Sequence, residues 1–247
     1  MKILHIDIET APNTAHVWGL FRQNVSIKQL MESSYTMCFA AKWHGTKKII
    51  FKSQHDDDML GTLWELLDEA DAVVHYNGKS YDIPTINKDF VLNGYTPPSP
   101  YQQIDLYREV RKKFKFPSNK LDYVADRLGL GKKHAHEGHE LWIKCMADDK
   151  AAWGRMKKYN IQDVKLLELL YNKLLPWIDR HPNHAIYGKG GMVCTNCASN
   201  HVTKQGFART KTVVYQQYQC QDCGTWMRSR KNDKEESGKA VLTQQGL

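Results

Sequence analysis

Four carboxylates and four cysteines in this chain stand at spacings that suit metal chemistry. Asp7 and Glu9 are two residues apart inside an apolar run of Ile3, Leu4, Ile6 and Ile8. If that run is a strand, its period of two puts both side chains on one face of a sheet. Adjacent carboxylates repel, and an unpaired charge in a buried strand is costly, so a cation between them would relieve both problems. The pattern Asp-x-Glu is common and recurs at Asp233 and Glu235 in a polar segment, where a pair of solvated acids suffices.

Two further groups complete the acidic set. Asn77, Gly78, Lys79, Ser80, Tyr81 and Asp82 follow the apolar run at 72–75 and lead into a helical pattern. They occupy a strand-to-helix corner, where Asp82 either faces a metal or caps the helix. Tyr159 and Asp163 are four apart in a long helical stretch and share a face about one turn apart. The same spacing at Tyr101 with Asp105 is crowded by prolines, and at Tyr218 with Asp222 it lies between cysteines in a strand-like run. Acids arriving from a strand, a corner and a helix could converge at one end of a sheet, where four uncompensated charges would be prohibitively repulsive. Two hard divalent cations about 4 Å apart are a known device for in-line displacement at phosphorus, one activating water and the other stabilising the leaving 3′ oxygen.

The cysteines point to a different metal. Cys194 with Cys197, and Cys220 with Cys223, form two Cys-x-x-Cys pairs separated by 22 residues that include the strand-like run 212–219. Two such pairs flanking a hairpin suit one structural Zn2+ held by four thiolates, with redox-active dithiols the weaker reading. Cys38 and Cys145 stand alone in apolar surroundings, so the cysteines fit metal ligation in a reducing, intracellular compartment rather than a disulfide framework.

The elements that must hold these residues alternate strand and helix. Strands are expected at 2–8, 16–21, 35–43, 48–52 and 72–75, and helices at 57–69, 80–92, 104–114, 120–128 and 150–174. Ser118 or Asn119 would cap the fourth helix and Pro176 would end the last. The chain reads as a mixed α/β core over 1–180, a glycine-rich linker at 181–193, a zinc ribbon at 194–230 and a polar, poorly ordered tail at 231–247.

Taken together, the three acidic motifs resemble those of the DEDD 3′–5′ exonuclease superfamily, whose ribonuclease H-like fold includes polymerase proofreading domains. The resemblance covers about residues 3–170. Asp7, Glu9 and Thr10 match its first motif, Asn77 through Asp82 its second, and Tyr159 with Asp163 its third. None of the eleven histidines has an Asp five positions on, so the likeness is to the tyrosine (DEDDy) branch. The resemblance implies a ribonuclease H-like mixed sheet flanked by helices, and two Mg2+ or Mn2+ ions. Asp7 would bridge both ions, Glu9 and Asp163 would complete the site holding the attacking water, and Asp82 would serve the second ion. Tyr159, with an ordinary pKa near 10, would orient the water rather than deprotonate it. Thr10, Asn77 and Tyr81 would contact substrate. The implied activity is 3′-to-5′ hydrolysis of DNA, at single-stranded or frayed ends, releasing nucleoside 5′-monophosphates. An RNA-trimming enzyme and a non-catalytic adaptor remain open beside it.

Net charge is +8 and pI about 9.1, which favours an anionic partner, either nucleic acid or an acidic membrane surface, and the resemblance points to nucleic acid, DNA favoured and RNA possible. Arg108, Arg111, Lys112, Lys113, Lys115, Lys120, Lys132 and Lys133 form either a phosphate-tracking groove or a solvated face. Trp18, Leu20 and Phe21 stack on terminal bases, as family members do with apolar residues there, or belong to the core. The stretch holding His134, His136, His139 and Glu140 reads as a mobile substrate-side loop, with a metal site the weaker reading for want of a second ligand pair, and Asp105 as a structural acid. The ribbon, with Tyr215, Tyr218 and Trp226 among basic residues, is a nucleic-acid clamp, a docking module for a replication or repair protein, or purely structural. No apolar stretch reaches the length of a membrane span, and Asp7 and Glu9 interrupt any signal-peptide core, so no membrane role is expected.

Overall fold

The computed structural model describes residues 1–131, 137–188 and 190–239. Ile3–Thr10 forms β1, the middle strand of a five-stranded mixed sheet. Thr36–Trp43 (β4) pairs antiparallel with it and with Ile50–Ser53 (β5), while Ala72–His75 (β6) runs parallel on its other side, followed by Gln102–Asp105 (β7). The order is β5-β4-β1-β6-β7. Two short strands, Thr14–Ala15 (β2) and Leu30–Glu32 (β3), pair with each other. Helices occupy Met59–Glu69 (α1), Asp82–Leu92 (α2), Leu106–Lys113 (α3), Leu121–Arg127 (α4), His139–Met146 (α5) and Lys150–Leu174 (α6). This is the expected mixed sheet flanked by helices.

The period of two along β1 separates packing from chemistry. Leu4, Ile6 and Ile8 pack with Phe39 and Ala41 of β4 against Leu63 and Leu67 of α1 and Ile86 and Phe90 of α2. Each such buried leucine or isoleucine contributes about 1.5–3 kcal/mol relative to exposure. The odd positions, His5, Asp7 and Glu9, take the opposite face. There Asn160 of α6 bonds to Asp7, and the ring of Tyr171 meets His5 edge-on at 5.2 Å.

Several elements differ from expectation. The run 16–21 is not a strand: Trp18 is 99% exposed and Leu20 and Phe21 are 87% exposed. Apolar alternation makes a strand only where a neighbour covers one face, and in this stretch the pairing with β3 stops at Ala15, with one further backbone bond from the His16 N–H to the Gln29 carbonyl at 3.0 Å. The helix expected over 104–114 starts at Leu106, because Gln102–Asp105 instead fills the open parallel edge of β6. Asp105 then caps α3 by accepting the Tyr107 N–H at 3.1 Å. The cap position of α4 is Lys120 rather than Ser118 or Asn119, and Ser118 Oγ accepts the Lys120 N–H at 3.3 Å just ahead of the helix. The presumed loop around His139 and Glu140 is the start of α5, whose Leu141 and Cys145 are buried four residues apart, the helical repeat. His134, His136, Lys132 and Lys133 lie outside the described residues.

The chain divides into two compact units, Lys2–Tyr171 and the part from Asn172 onward. In the second, Val202–Arg209 (β8), Val214–Cys220 (β9) and Trp226–Arg228 (β10) form an antiparallel sheet in the order β10-β9-β8. Within the stretch expected to be a polar tail, Lys234–Gly238 forms a short helix, α7, capped by the Asp233 side chain. Among the described residues, no helix is long and apolar enough to cross a membrane.

Candidate active site

Asp7 and Glu9 from β1 and Asp163 from α6 bring carboxylate oxygens within 4.8 Å of one another. Three acids this close fit hard divalent cations such as Mg2+ or Mn2+, which take oxygen ligands. The inward stripe of α6 carries buried Met156, Val164, Leu167 and Tyr171, and two polar residues, Asn160 and Asp163, interrupt it. Asn160 donates through Nδ2 to Asp7 Oδ2 at 2.7 Å and to the Asp7 carbonyl at 3.2 Å. Sequence reasoning passed over Asn160, although a polar residue on the apolar stripe three positions before Asp163 was the available signal. Tyr159 packs edge-on against Trp142 of α5, with ring centroids 6.0 Å apart.

Asp82 is held differently. The corner before α2 turns at Asn77, whose φ of 66° is left-handed, and the Asn77 N–H donates to Asp105 Oδ1 at 2.9 Å. Gly78 must be glycine, since a Cβ there would stand 2.5 Å from the His75 ring. The turn delivers Asp82 to the edge of β1, where Oδ1 accepts the Ile8 N–H at 3.4 Å. Asp82 is buried and stands outside the close trio of Asp7, Glu9 and Asp163. Asp105, which pins this corner and caps α3, has a structural job.

Burial pushes the Asp82 carboxyl up to about 6, with the charge of Asp105 adding to it and the Ile8 N–H opposing. A carboxyl raised above its unfolded value destabilises the fold as it ionises. The penalty is absent below about pH 4, grows as pH rises, and is complete above about pH 6, amounting to at most about 3 kcal/mol. In metal-free buffer, Asp82→Asn should therefore be more stable than wild type at neutral pH and equal to it near pH 4. Urea unfolding at several pH values checks this, and equal stability throughout would mean that Asp82 is solvated.

Two clefts flank the carboxylates. Asp7 and Tyr159 line one of about 550 Å³, together with Tyr76, Asn77, Tyr107, Asn119 and Lys120. Tyr76 stands edge-on to Tyr107 at 5.7 Å and donates its hydroxyl to the Asn119 carbonyl at 2.6 Å. Neither tyrosine carried a motif by which sequence could single it out. Glu9 and Thr10 line the other cleft, of about 430 Å³, with Tyr81, His139 and Trp142. Thr10 Oγ1 and the Tyr81 hydroxyl are 2.6 Å apart. Of the basic residues, Lys120 borders the first cleft, while Arg108 reaches Ser80 Oγ at 3.2 Å and Asp105 at 3.5 Å.

A second trio, His5, His44 and Glu168, also brings possible ligand atoms within 4.8 Å. Here the Lys42 ammonium already pairs with Glu168, and the Gly45 N–H donates to the same carboxylate at 2.9 Å. That carboxylate is neutralised by protein and reads as structural. Cys38, buried beside β1, has its thiol pushed well up by burial and then by the charges of Glu9 and Asp7, which leaves it inert.

The four C-terminal cysteines converge. All four Sγ atoms lie within 4.8 Å of one another, with Cys194 to Cys223 at 3.5 Å and Cys197 to Cys220 at 3.6 Å. A tetrahedral Zn2+ with Zn–S of about 2.3 Å requires sulfur separations of about 3.8 Å, so the set fits zinc. Both knuckles are built alike: Ala198 N–H donates to the Cys194 carbonyl and Gly224 N–H to the Cys220 carbonyl, each at 3.0 Å, and both residues have positive φ. Burial would push the Cys220 thiol up, but the backbone N–H groups of Cys223 and Asp222 and the neighbouring thiols bring it down to about 7.

Comparison with solved structures finds a family B DNA polymerase from the hyperthermophilic archaeon Pyrobaculum calidifontis, 18% identical, with a TM-score of 0.55. The match covers 71% of this chain and 24% of the polymerase, and at this identity it speaks for the fold alone. No curated protein matches the sequence. The sequence profile of the RNase_H superfamily matches residues 4–175, the stretch that carries the sheet, the corner and α6. Mixed sheet, acid-bearing face and profile agree, and the chain belongs to the RNase_H superfamily.

Proposed function

We propose that this protein is a metal-dependent 3′-to-5′ exonuclease of the DEDDy type, acting on DNA at single-stranded or frayed 3′ ends. The observation that carries this reading is the meeting of Asp7, Glu9 and Asp163 within 4.8 Å, beside a cleft large enough for a terminal nucleotide. Asp7, Glu9 and Asp163 would hold the divalent ions, with Asp82 adding a carboxylate from the corner. When bound, such ions lower the pKa of a water and stabilise charge on the departing 3′ oxygen. The remaining work falls to the chain. Asn160 keeps the Asp7 carboxylate in one orientation, and Tyr159, braced by Trp142, presents its hydroxyl to orient the water. The Thr10 and Tyr81 pair forms a polar wall on the far side of the carboxylates, while Asn77 and Lys120 border the near cleft. Water attacks phosphorus, the bond to the 3′ oxygen breaks, and the products are a strand with a new 3′ hydroxyl and a nucleoside 5′-monophosphate.

The test is digestion of 5′-labelled single-stranded DNA, and of RNA of the same sequence, with Mg2+ or Mn2+. A ladder shortening from the 3′ end, stopped by a 3′ block and yielding 5′-monophosphates, is the expected result. Inactivity on both polymers, or products that ignore the block, would overturn the reading.

A further inference from the structure

In the ribbon, directly opposed residues of an antiparallel pair project to the same side of the sheet. Trp226 of β10 lies opposite Gln219 of β9, which in turn lies opposite Thr203 of β8. Arg228 lies opposite Gln217, and Tyr215 is two residues from Gln217 along the same strand. These six residues therefore share one face. Trp226 is 53% exposed on an edge strand, and the Arg228 guanidinium lies 4.1 Å over the Tyr215 ring. The face thus offers an exposed indole and a flat guanidinium platform, with side-chain amides between them.

That chemistry selects among occupants. The core of a protein-docking face is typically apolar and water-excluding, yet the one aliphatic side chain among the paired positions of this face is Ala208. Aromatic rings and arginine planes interleaved with amides instead suit unpaired bases, which stack on the planes and hydrogen-bond to the amides. Charge agrees: residues 194–230 contain five Lys and Arg against a single acid, Asp222. That acid is engaged with Ser199 and with His201, the latter at 3.0 Å.

We infer that this face of the three-stranded sheet is a binding platform for single-stranded nucleic acid, with one base stacking on Trp226 and the next on the Arg228–Tyr215 pair. The platform shares no residue with the carboxylate cluster and does not depend on that cluster's activity. Base stacking of this kind predicts a loss of about 5- to 150-fold in affinity for each plane removed.

The test uses the full chain, zinc-loaded, carrying Asp7→Ala so that substrate survives, and a fluorescein-labelled oligothymidylate followed by anisotropy. Trp226→Ala and Arg228→Gln should each weaken binding by that factor, Trp226→Tyr should retain most of it, and a duplex of equal length should be affected much less. Zinc content measured on each variant reports an intact ribbon, and Arg228→Gln serves if Trp226→Ala loses the metal. Binding within twofold of the parent in a zinc-loaded variant, or equal losses for single strand and duplex, would overturn the proposal. Hydrolysis of the same oligothymidylate by the wild-type chain is followed in parallel: hydrolysis with unaltered binding by the platform variants overturns the platform alone, and platform binding without hydrolysis overturns the nuclease reading alone. Failure of the platform and failure of the nuclease reading therefore give different results.

Discussion

Asp7→Ala is expected to reduce 3′-end digestion by at least about 10³-fold, roughly 4 kcal/mol of transition-state stabilisation. Asp7 belongs to the close carboxylate trio and also lines the larger cleft, so its loss removes a ligand and exposes the remaining acids to a half-built site. The fold should survive, because Asp7 bonds to Asn160 on the odd face of β1 while Leu4, Ile6 and Ile8 carry the packing. Single-turnover digestion with saturating Mn2+ measures the effect, and a thermal melt shows that the protein remains folded. Tyr159→Phe should cost much less, since an orienting hydroxyl is partly replaced by solvent. A folded Asp7→Ala protein that digests within tenfold of wild type would mean that the trio is not the reactive centre.

We propose that the four thiolates hold a zinc ion, and its removal should unfold the ribbon while leaving the unit Lys2–Tyr171 folded. A module of this size buries too little apolar surface to hold itself together, and apparent Zn2+ binding energies in such sites are about 10–16 kcal/mol. In the ribbon, Cys194 and Cys220 are buried and the sheet otherwise presents half-exposed strands, so a metal held by the four cysteines would be the main cross-link between knuckles. Chelation, or Cys220→Ser, should collapse the ribbon resonances in an amide NMR spectrum without moving those of the larger unit. Acid should act likewise, because protons compete with zinc for the thiolates. Ribbon resonances that persist unchanged in the metal-free protein would show that the hairpins hold without it.

Much of this was legible because it depends on local periodicity. The alternation Leu4, Ile6, Ile8 against His5, Asp7, Glu9 announces a strand with one packing face and one chemical face, whatever surrounds it. The 25-residue helix ending before Pro176 and the paired Cys-x-x-Cys knuckles are of the same kind. Pattern could not supply what depends on partners distant in the chain. The exposure of Trp18, Leu20 and Phe21 follows from the absence of a covering neighbour, and β7 exists because β6 left a parallel edge to fill. The start of α5 at His139 was hidden by glycines and histidines that resemble a loop until Leu141 and Cys145 are seen buried against the core. At the site, residue types could nominate four acids, but only the crossing of α6 over β1 decided which of them meet. Asp163 joins Asp7 and Glu9, and Asn160 comes with it. Asp82 ends on the Ile8 N–H because β6 pairs with β1 only as far as His5 and leaves that donor for a side chain to take. A carboxylate's neighbours depend on which backbone groups the sheet leaves unpaired, and that is a property of the assembled layers rather than of any segment alone.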